Sequence, residues 1–295
     1  MNENGKIYYV GPERKHKSLT KLFLELFSDE TEKTIYIDAG TYDIFREYKE
    51  AGIPSPPDDV SVGDYFKYNA FLPLNTKLIG IGNVYLKFCP EPNEITYGES
   101  ITWAPLNVLG NCHIENIEIH CKNGRYCIHD DSHNQHINGN HHYKHVRCIF
   151  ENGDEKDGKV LGLQNTIGFG FSQGTKFEFE DCTFQFVGGN NAAFYGHDDG
   201  MKNPDNTPSL ILKNCLILGD KDGDRAMVLQ NLAGERGKRI ITRIESCVIV
   251  GGIYLTIYHE NGEQRFEVTL INSGTPPILC DKKDENIYPV KFFNA

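Results

Sequence analysis

The sequence predicts an all-β protein in which the chain coils as a parallel β-helix behind an N-terminal helix. Three observations carry this prediction. Short alternating apolar segments recur every 31 to 34 residues, Asn or Asp recurs at the same point of most repeats, and an amphipathic helix pattern precedes the first repeat. Period-two alternation indicates strands with one buried face. A fixed repeat of this length indicates stacked units that bury their apolar faces on one another.

The repeat is clearest around regularly spaced cysteines. The order apolar-x-apolar-x-x-Cys-x-apolar recurs at Cys182, Cys215 and Cys247, with a looser copy at Cys148, and these four cysteines are spaced by 34, 33 and 32 residues. Looser copies centre on Val84 and Ile117. The two-residue gap changes the parity of the alternation and predicts a bend, where the sequence has Asn83, Asn116, Arg147, Asp181, Asn214 and Ser246. Asn and Asp tolerate the left-handed backbone of such a bend, and the thiols are predicted to stack as small interior hydrophobic groups.

The N-terminal region predicts an amphipathic helix. Ser18 precedes apolar residues at helical spacing, namely Leu19, Leu22, Phe23, Leu26 and Phe27. The chain is therefore expected to divide into three parts. An N-terminal strand and capping helix occupy residues 1–33, a parallel β-helix occupies 34–275 with a Pro-rich insertion loop at 45–75, and a C-terminal cap or tail occupies 276–295.

These features resemble the pectate-lyase-like superfamily of single-stranded right-handed parallel β-helices over about residues 34–275, with a helix that plugs the first turn. Within that superfamily, residues 111–131 (NCHIENIEIHCKNGRYCIHDD) look most like tailspike-like β-helix proteins of phage and prophage tails. The resemblance implies a tail-associated protein that recognises host-surface polysaccharide. It also implies contacts with other tail subunits and a homotrimer.

Composition excludes several classes. The net charge of −11 argues against a broad nucleic-acid surface, and no apolar run has the length of a membrane helix. The N-terminus lacks the order of a secretory signal. Together with this, the resemblance implies a virion protein made in the host cytoplasm. Nine cysteines without a CxxC pair argue against a zinc ribbon and fit free thiols in a reducing compartment.

Polar residues end a third strand in each repeat and form the candidate site. The groups are His129-Asp130-Asp131, Gln164-Asn165, His197-Asp198-Asp199, Gln230-Asn231 and His259-Glu260-Asn261, at spacings of 35, 33, 33 and 29 residues. The candidate catalytic residues are Asp130, Asp131, Asp198 and Asp199, and the candidate ligand-binding residues are His129, Gln164, His197, Gln230, His259 and Glu260. Three interpretations stay open: a hydrogen-bonded structural stripe, a groove that binds glycan, and a catalytic carboxylate pair.

The catalytic alternative is a polysaccharide lyase or a glycoside hydrolase. If the two HDD turns lie two repeats apart, the backbones of Asp130 and Asp198 are roughly 10 Å apart, and their carboxylates come near the separation of an inverting glycosidase pair. The lyase and polygalacturonase signatures of the superfamily are missing, which counts against this alternative. A further alternative is a non-catalytic structural tail component.

Two loops carry side chains of interest. The insertion loop holds Tyr65, Phe66, Tyr68 and Phe71, which could stack on sugar rings but more often anchor such a loop to the body. A second loop, residues 132–142, holds His133, His136, His141 and His142. Because a metal needs convergent, supported ligands, neither a metal site nor any cofactor is expected. A Ca²⁺ ion between the two acidic turns is chemically allowed but not indicated.

Overall fold

A computed structural model describes residues 5–131, 139–171, 175–189, 191–198, 207–220, 225–231, 239–257, 266–280 and 290–293. The molecule is all-β, as predicted. Its strands are β1 (Lys6–Val10), β2 (Lys33–Asp43), β3 (Thr76–Phe88), β4 (Leu106–Val108), β5 (Cys112–Cys121), β6 (Ile128–Asp130), β7 (Asn140–Glu151), β8 (Glu155–Lys156), β9 (Lys159–Val160), β10 (Ile167–Phe171), β11 (Lys176–Glu180), β12 (Thr183–Val187), β13 (Phe194–Asp198), β14 (Ser209–Lys213), β15 (Leu216–Leu218), β16 (Arg225–Asn231), β17 (Ile240–Glu245), β18 (Val248–Val250), β19 (Gly252–Ile257), β20 (Phe266–Ile271), β21 (Ile278–Cys280) and β22 (Val290–Phe293).

Nearly all strands belong to two long parallel sheets. A thirteen-stranded sheet runs β1-β2-β3-β5-β7-β11-β14-β17-β20-β22, and β12, β15 and β18 extend it beyond the bends. A seven-stranded sheet runs β4-β6-β10-β13-β16-β19-β21. In both sheets the neighbours follow chain order, because the chain passes repeatedly from one sheet to the other. This order is compatible with a parallel β-helix.

The apolar core lies between the two sheets. Phe169 of β10 in the seven-stranded sheet lies 4.8 Å, ring centre to ring centre, from Phe177 of β11 in the other sheet. It is 5.9 Å from Phe179 of β11 and 4.7 Å from Phe194 of β13. All four rings are buried. The alternation seen in the sequence therefore places one face of each strand between the sheets.

Left-handed residues mark the bends, as the sequence predicts at four positions. Asn116, Asp181, Asn214 and Ser246 have φ values of 58°, 54°, 53° and 51°. Two of the predicted bend positions are wrong. His145 (φ 51°) bends the chain instead of Arg147, and Gly82 (φ 77°) does so instead of Asn83. His145 holds the bend because its imidazole contacts the carboxamide of Asn116, the bend residue of the preceding repeat.

The same shift corrects the predicted cysteine stack. Cys182, Cys215 and Cys247 follow equivalent bends, and their neighbours pair in register across β12, β15 and β18. Cys148 instead pairs with Phe184, two residues further along the repeat. All nine cysteines carry free thiols. Those within the core act as small hydrophobic groups.

Four short helices accompany the sheets in the described residues. Helix α1 (Leu19–Leu26) begins at the Ser18 N-cap and buries Leu19, Leu22, Phe23 and Leu26, which confirms the predicted helix. The insertion at 45–75 is not a plain loop, because it contains α2 (Ile44–Ala51) and a 3-10 helix, η1 (Val62–Tyr68). Helix α3 (Tyr97–Thr102) follows a capping box formed by Thr96 and Glu99. No helix in the described segments is long and apolar enough to cross a membrane.

The C-terminal segment contains two strands. Within residues 276–295, which the sequence predicts to form a C-terminal cap or tail, β21 pairs with β19 and β22 pairs with β20. The segment therefore adds one strand to each sheet. A short antiparallel hairpin, β8–β9, lies outside both sheets and turns at Asp157 and Gly158, whose φ values are 52° and 74°.

Candidate functional site

Strand β6 directs its polar residues to opposite faces of the seven-stranded sheet. Asp130 faces the other sheet, because it contacts His141 and Tyr143 of β7. His129 and Asp131 point to the outer face, as strand alternation requires. The side chains on the outer face of the seven-stranded sheet, from His129 on β6 to Thr256 on β19, are called the outer row below.

The insertion at residues 45–75 covers the first part of the outer row. The His129 ring stacks on Tyr126 with centroids 5.4 Å apart and meets the edge of Tyr65 of η1 at 4.7 Å. The Arg125 guanidinium lies 4.7 Å from the Tyr65 ring centre. Burial first, and then the charge of Arg125, holds the pKa of His129 well below its ordinary value. His129 is therefore a neutral, enclosed imidazole at neutral pH.

Asp131 and His197 meet across a glycine. His197 Nε2 lies 3.5 Å from Asp131 Oδ2, and His129 Nε2 lies 4.0 Å from the same oxygen. Gly170 lies between them, where a Cβ atom would approach Asp131 Oδ1 to 2.5 Å and His197 Cε1 to 3.0 Å. Because a Cβ atom at position 170 would collide with both groups, only glycine lets the Asp131 carboxylate reach the His197 imidazole, which lies two strands away in the sheet.

A Gly170→Ala substitution tests this close approach. The added methyl group must push the Asp131 carboxylate away from His197, so we expect the free energy of unfolding to fall by about 1–3 kcal/mol, as for other overpacked sites. Urea unfolding of the variant measures the loss. Gly5→Ala is the control, because the nearest atom to its Cβ is 3.6 Å away. Equal stability of the two variants would contradict the assigned contact.

The outer row opens to solvent on β13, β16 and β19. A concavity of about 320 Å³ is lined by the polar and aromatic residues Asn165, Tyr195, Arg225, Gln230, Tyr254 and Thr256. The Tyr195 hydroxyl donates to Gln230 Oε1, and the Arg225 guanidinium lies 4.4 Å from the Tyr254 ring centre. Tyr195 and Tyr254 both pair with Val228, so the two rings lie on alternate strands of one row.

A second polar group lies between the sheets. His141 Nδ1 is 2.7 Å from Asp130 Oδ2, and Cys112 Sγ is 3.8 Å from the same nitrogen. The Tyr143 hydroxyl donates to Asp130 Oδ2. Burial first, and then the charge of Asp130, raises the pKa of Cys112 and that of Tyr143 well above their ordinary values. Cys112, Asp130, His141 and Tyr143 are called the core cluster below.

The structure separates the predicted carboxylate pair. Asp130 pairs with Phe169, whereas Asp198 pairs with Phe171, so the two HDD turns are offset by two residues. Their backbones are about 12 Å apart by strand spacing and rise. Asp130 is 2 % exposed and Asp198 is 0 % exposed, and Asp198 pairs with buried Asn231. The turns instead meet through Asp131 and His197, a geometry that does not favour an inverting glycosidase pair.

The remaining predicted residues fall into three groups. His197 and Gln230 lie on the outer row and pair in register. Gln164 is not part of the row, because it precedes β10 and accepts a hydrogen bond from the Gly153 backbone at 3.1 Å. Asp199, His259 and Glu260 lie outside the described residues, as do His133 and His136 of the predicted second loop. His141 and His142 belong to β7 rather than to that loop.

The insertion aromatics support the anchoring interpretation. Tyr65 and Phe71 are buried, and Phe66 stacks on Phe71 with centroids 5.3 Å apart. The Tyr65 hydroxyl donates to the backbone carbonyl of Asp131 at 2.7 Å. Tyr65 therefore ties the insertion to the end of β6, and the rings of Tyr65 and Phe71 are enclosed by the protein.

Sequence reasoning missed Tyr195 and Tyr254, and it named Asp130 and His141 without grouping them with Cys112 and Tyr143. The tyrosines can be found only once strand register is known, because a lone Tyr in an alternating strand carries no signal. Cys112 and His141 lie on different strands that pair directly. Comparison with family models, with curated proteins and with solved structures gives no match to this chain.

Proposed function

We propose that this chain is a right-handed parallel β-helix of the pectate-lyase-like kind, capped by α1, that binds a host-surface polysaccharide as a component of a phage or prophage tail. The observation that carries the binding proposal is the open part of the outer row. It combines two tyrosines on alternate strands with amide, hydroxyl and guanidinium groups on β13, β16 and β19.

The outer row suits a polymer with repeating units. Parallel strands present equivalent side chains at intervals of about 4.8 Å, so a chain molecule lying across the strands meets similar groups repeatedly. Tyrosine rings offer apolar faces and Gln230, Thr256 and Arg225 offer hydrogen bonds, which is the mixture that sugar rings require. The family resemblance implies a homotrimer that contacts other tail subunits. Three copies of the site would strengthen weak single-site contacts by avidity.

The placement of the carboxylates makes binding the favoured function over cleavage. Asp130 and Asp198 point between the sheets, where a polysaccharide cannot reach them. Among the candidate carboxylates in the described residues, Asp131 is the least enclosed, with 11 % of its side chain exposed beside His197. A lyase or hydrolase acting through this turn therefore remains the alternative, and a structural tail component without a ligand remains the second alternative.

Tyrosine substitution on the open row tests the proposal. Binding to a panel of immobilised bacterial capsular and O-antigen polysaccharides is measured for the native chain and for Tyr195→Ala and Tyr254→Ala. We expect each substitution to weaken retention roughly tenfold or more, as loss of an aromatic contact worth about 1.4 kcal/mol does. Tyr9→Ala is a matched control, because Tyr9 is an exposed tyrosine with Arg14 at 5.0 Å from its ring centre.

The same assay separates the alternatives. Release of new sugar ends from a retained polymer would favour the enzyme. No retention of any polysaccharide, together with a stable oligomer, would favour the structural component and reject the binding proposal. Unchanged retention by Tyr195→Ala and Tyr254→Ala would place any glycan site elsewhere on the surface.

A further inference from the structure

The core cluster contains three different metal-ligating groups that converge on one point. Cys112 Sγ, Asp130 Oδ2 and His141 Nδ1 all lie within 4.8 Å of one another, and all three residues are buried. They come from β5, β6 and β7, so they join the thirteen-stranded sheet to the seven-stranded sheet. Among the described residues, this is the one group of three Cys, His, Asp or Glu side chains with such convergent donor atoms.

The geometry argues against nucleophilic catalysis by the same residues. A thiol–imidazole–carboxylate triad places the nucleophile and the carboxylate on opposite ring nitrogens, so that a proton passes through the imidazole. Here Cys112 Sγ and Asp130 Oδ2 both lie against Nδ1. No catalytic relay can run through this arrangement, whereas donors grouped around one point are what a cation requires.

The distances suit a small, borderline-soft ion. Zn²⁺ with bonds of about 2.3 Å to sulfur and about 2.0 Å to nitrogen or oxygen holds its ligand atoms roughly 3.3–3.6 Å apart in a tetrahedron. The S···N distance of 3.8 Å and the O···N distance of 2.7 Å bracket that range. Changes of about half an ångström in these two distances, and closure of the S···O distance from its present value within 4.8 Å, bring the three donors to bonding positions.

A supporting hydrogen bond and a neighbouring surface concavity accompany the three ligand atoms. The Tyr143 hydroxyl donates to Asp130 Oδ2 and holds the carboxylate toward the cluster, as outer-shell hydrogen bonds do at metal sites. A surface concavity of about 550 Å³ is lined by Asn75, Asn111, Cys112 and Asn140 among others. The core cluster therefore lies next to a solvent-facing concavity at the start of β5.

We propose that Cys112, Asp130 and His141 bind one Zn²⁺ ion that ties the two sheets together behind the outer row. Binding replaces the thiol proton of Cys112, which leaves to solvent, and moves the remaining imidazole proton of His141 to Nε2. The ion fixes the inner side of β6, whose outer side carries His129 and Asp131. This proposal does not depend on polysaccharide binding.

Cobalt substitution tests the site directly. The full chain is produced in medium containing Co²⁺ in place of Zn²⁺, and bound metal and the thiolate-to-cobalt charge-transfer absorbance are measured. We expect about one Co²⁺ per chain with a thiolate band. Cys112→Ala, Asp130→Asn and His141→Gln should each abolish the band. Tyr143→Phe should keep it but lower the affinity about 10- to 100-fold, as expected for an outer-shell partner.

Two matched variants serve as controls for the metal site. Cys148→Ala removes another fully buried thiol of the core and should leave metal content and absorbance unchanged. His113→Ala removes a half-buried imidazole whose Nδ1 lies 2.9 Å from His142 Nδ1 on the outer surface, and should leave both unchanged as well. Bound Co²⁺ without a thiolate band, or a band that survives Cys112→Ala, would overturn the proposal. Native chain that retains no metal would also overturn it, whatever the folding of the variants.

Discussion

Phe169→Ala should lower the free energy of unfolding by about 3–5 kcal/mol, the range expected for truncation of a buried aromatic ring in a core that cannot collapse. The Phe169 ring contacts aromatic rings of both sheets, at 4.8 Å from Phe177 and 4.7 Å from Phe194. Backbone on either side is held in two parallel pairings, so the sheets cannot collapse into the space left by the ring. The loss therefore combines transfer free energy with an unfilled cavity.

Chemical denaturation with urea measures this loss, with two comparisons. Phe169→Leu keeps most of the volume and should cost about 1.5 kcal/mol or less. Phe293→Ala removes a phenylalanine that is 55 % exposed at the last strand, and should change stability by less than about 0.5 kcal/mol. A Phe169→Ala variant as stable as Phe293→Ala would mean that the two sheets do not share the core described above.

The fold class can be predicted from sequence because local sequence patterns define each repeat. Alternation, a parity change and a bend residue each depend on a few adjacent residues, so the bends at Asp181, Asn214 and Ser246 are predicted correctly. The error at Arg147 has a physical cause. His145 accepts a left-handed backbone, which moves the bend by two residues while Cys148 keeps the apparent spacing of the repeat.

The missed helices carry signals of their own. Asp43 caps α2, and Gly52 ends it with a φ of 72°. Thr96 and Glu99 form a capping box before α3. The prolines at 54, 56 and 57 predict a loop. They lie between α2 and α3 and therefore interrupt neither helix.

The candidate site is less predictable because it depends on register between strands. Equating the two HDD turns by chain spacing aligns Asp130 with Asp198 two strands away, whereas pairing in the sheet offsets the turns by two residues and brings Asp131 to 3.5 Å from His197. A shift of two residues preserves which face a side chain occupies but changes its neighbours. No local pattern in one strand reports such a shift. The core cluster depends on register between β5 and β7 in the same way.

Stability should fall as the pH falls below about 6.5, and His129 should cause most of the slope. The folded-state pKa of His129 lies well below its unfolded value of 6.5, because burial and Arg125 disfavour the charged ring. Between these two pKa values the unfolded chain binds one more proton than the folded chain, so stability rises with pH in that window. One proton gives a slope of at most about 1.4 kcal/mol per pH unit.

The groups that face His129 either lower its pKa further or lie too far away to raise it. Tyr65 and Tyr126 enclose the ring, Arg125 repels its charged form, and Asp131 Oδ2 is 4.0 Å away beside His197. His142 contributes a smaller slope of the same sign, because burial, and next the charge of His113, lowers the pKa of His142. That imidazole is partly exposed, so solvent screening reduces its contribution.

His129→Phe isolates this effect, since phenylalanine can stack on Tyr126 and meet Tyr65 but cannot bind a proton. Urea unfolding from about pH 7.5 to about pH 5 should give a steep loss for the native chain and a flatter one for the variant. His120→Gln removes a surface imidazole that contacts Glu151, and should leave the slope of the native chain. A slope that persists in His129→Phe would show that acid acts elsewhere. If the slope disappears, the protonation of one roofed imidazole limits the acid stability of β6 and of the outer row that it begins.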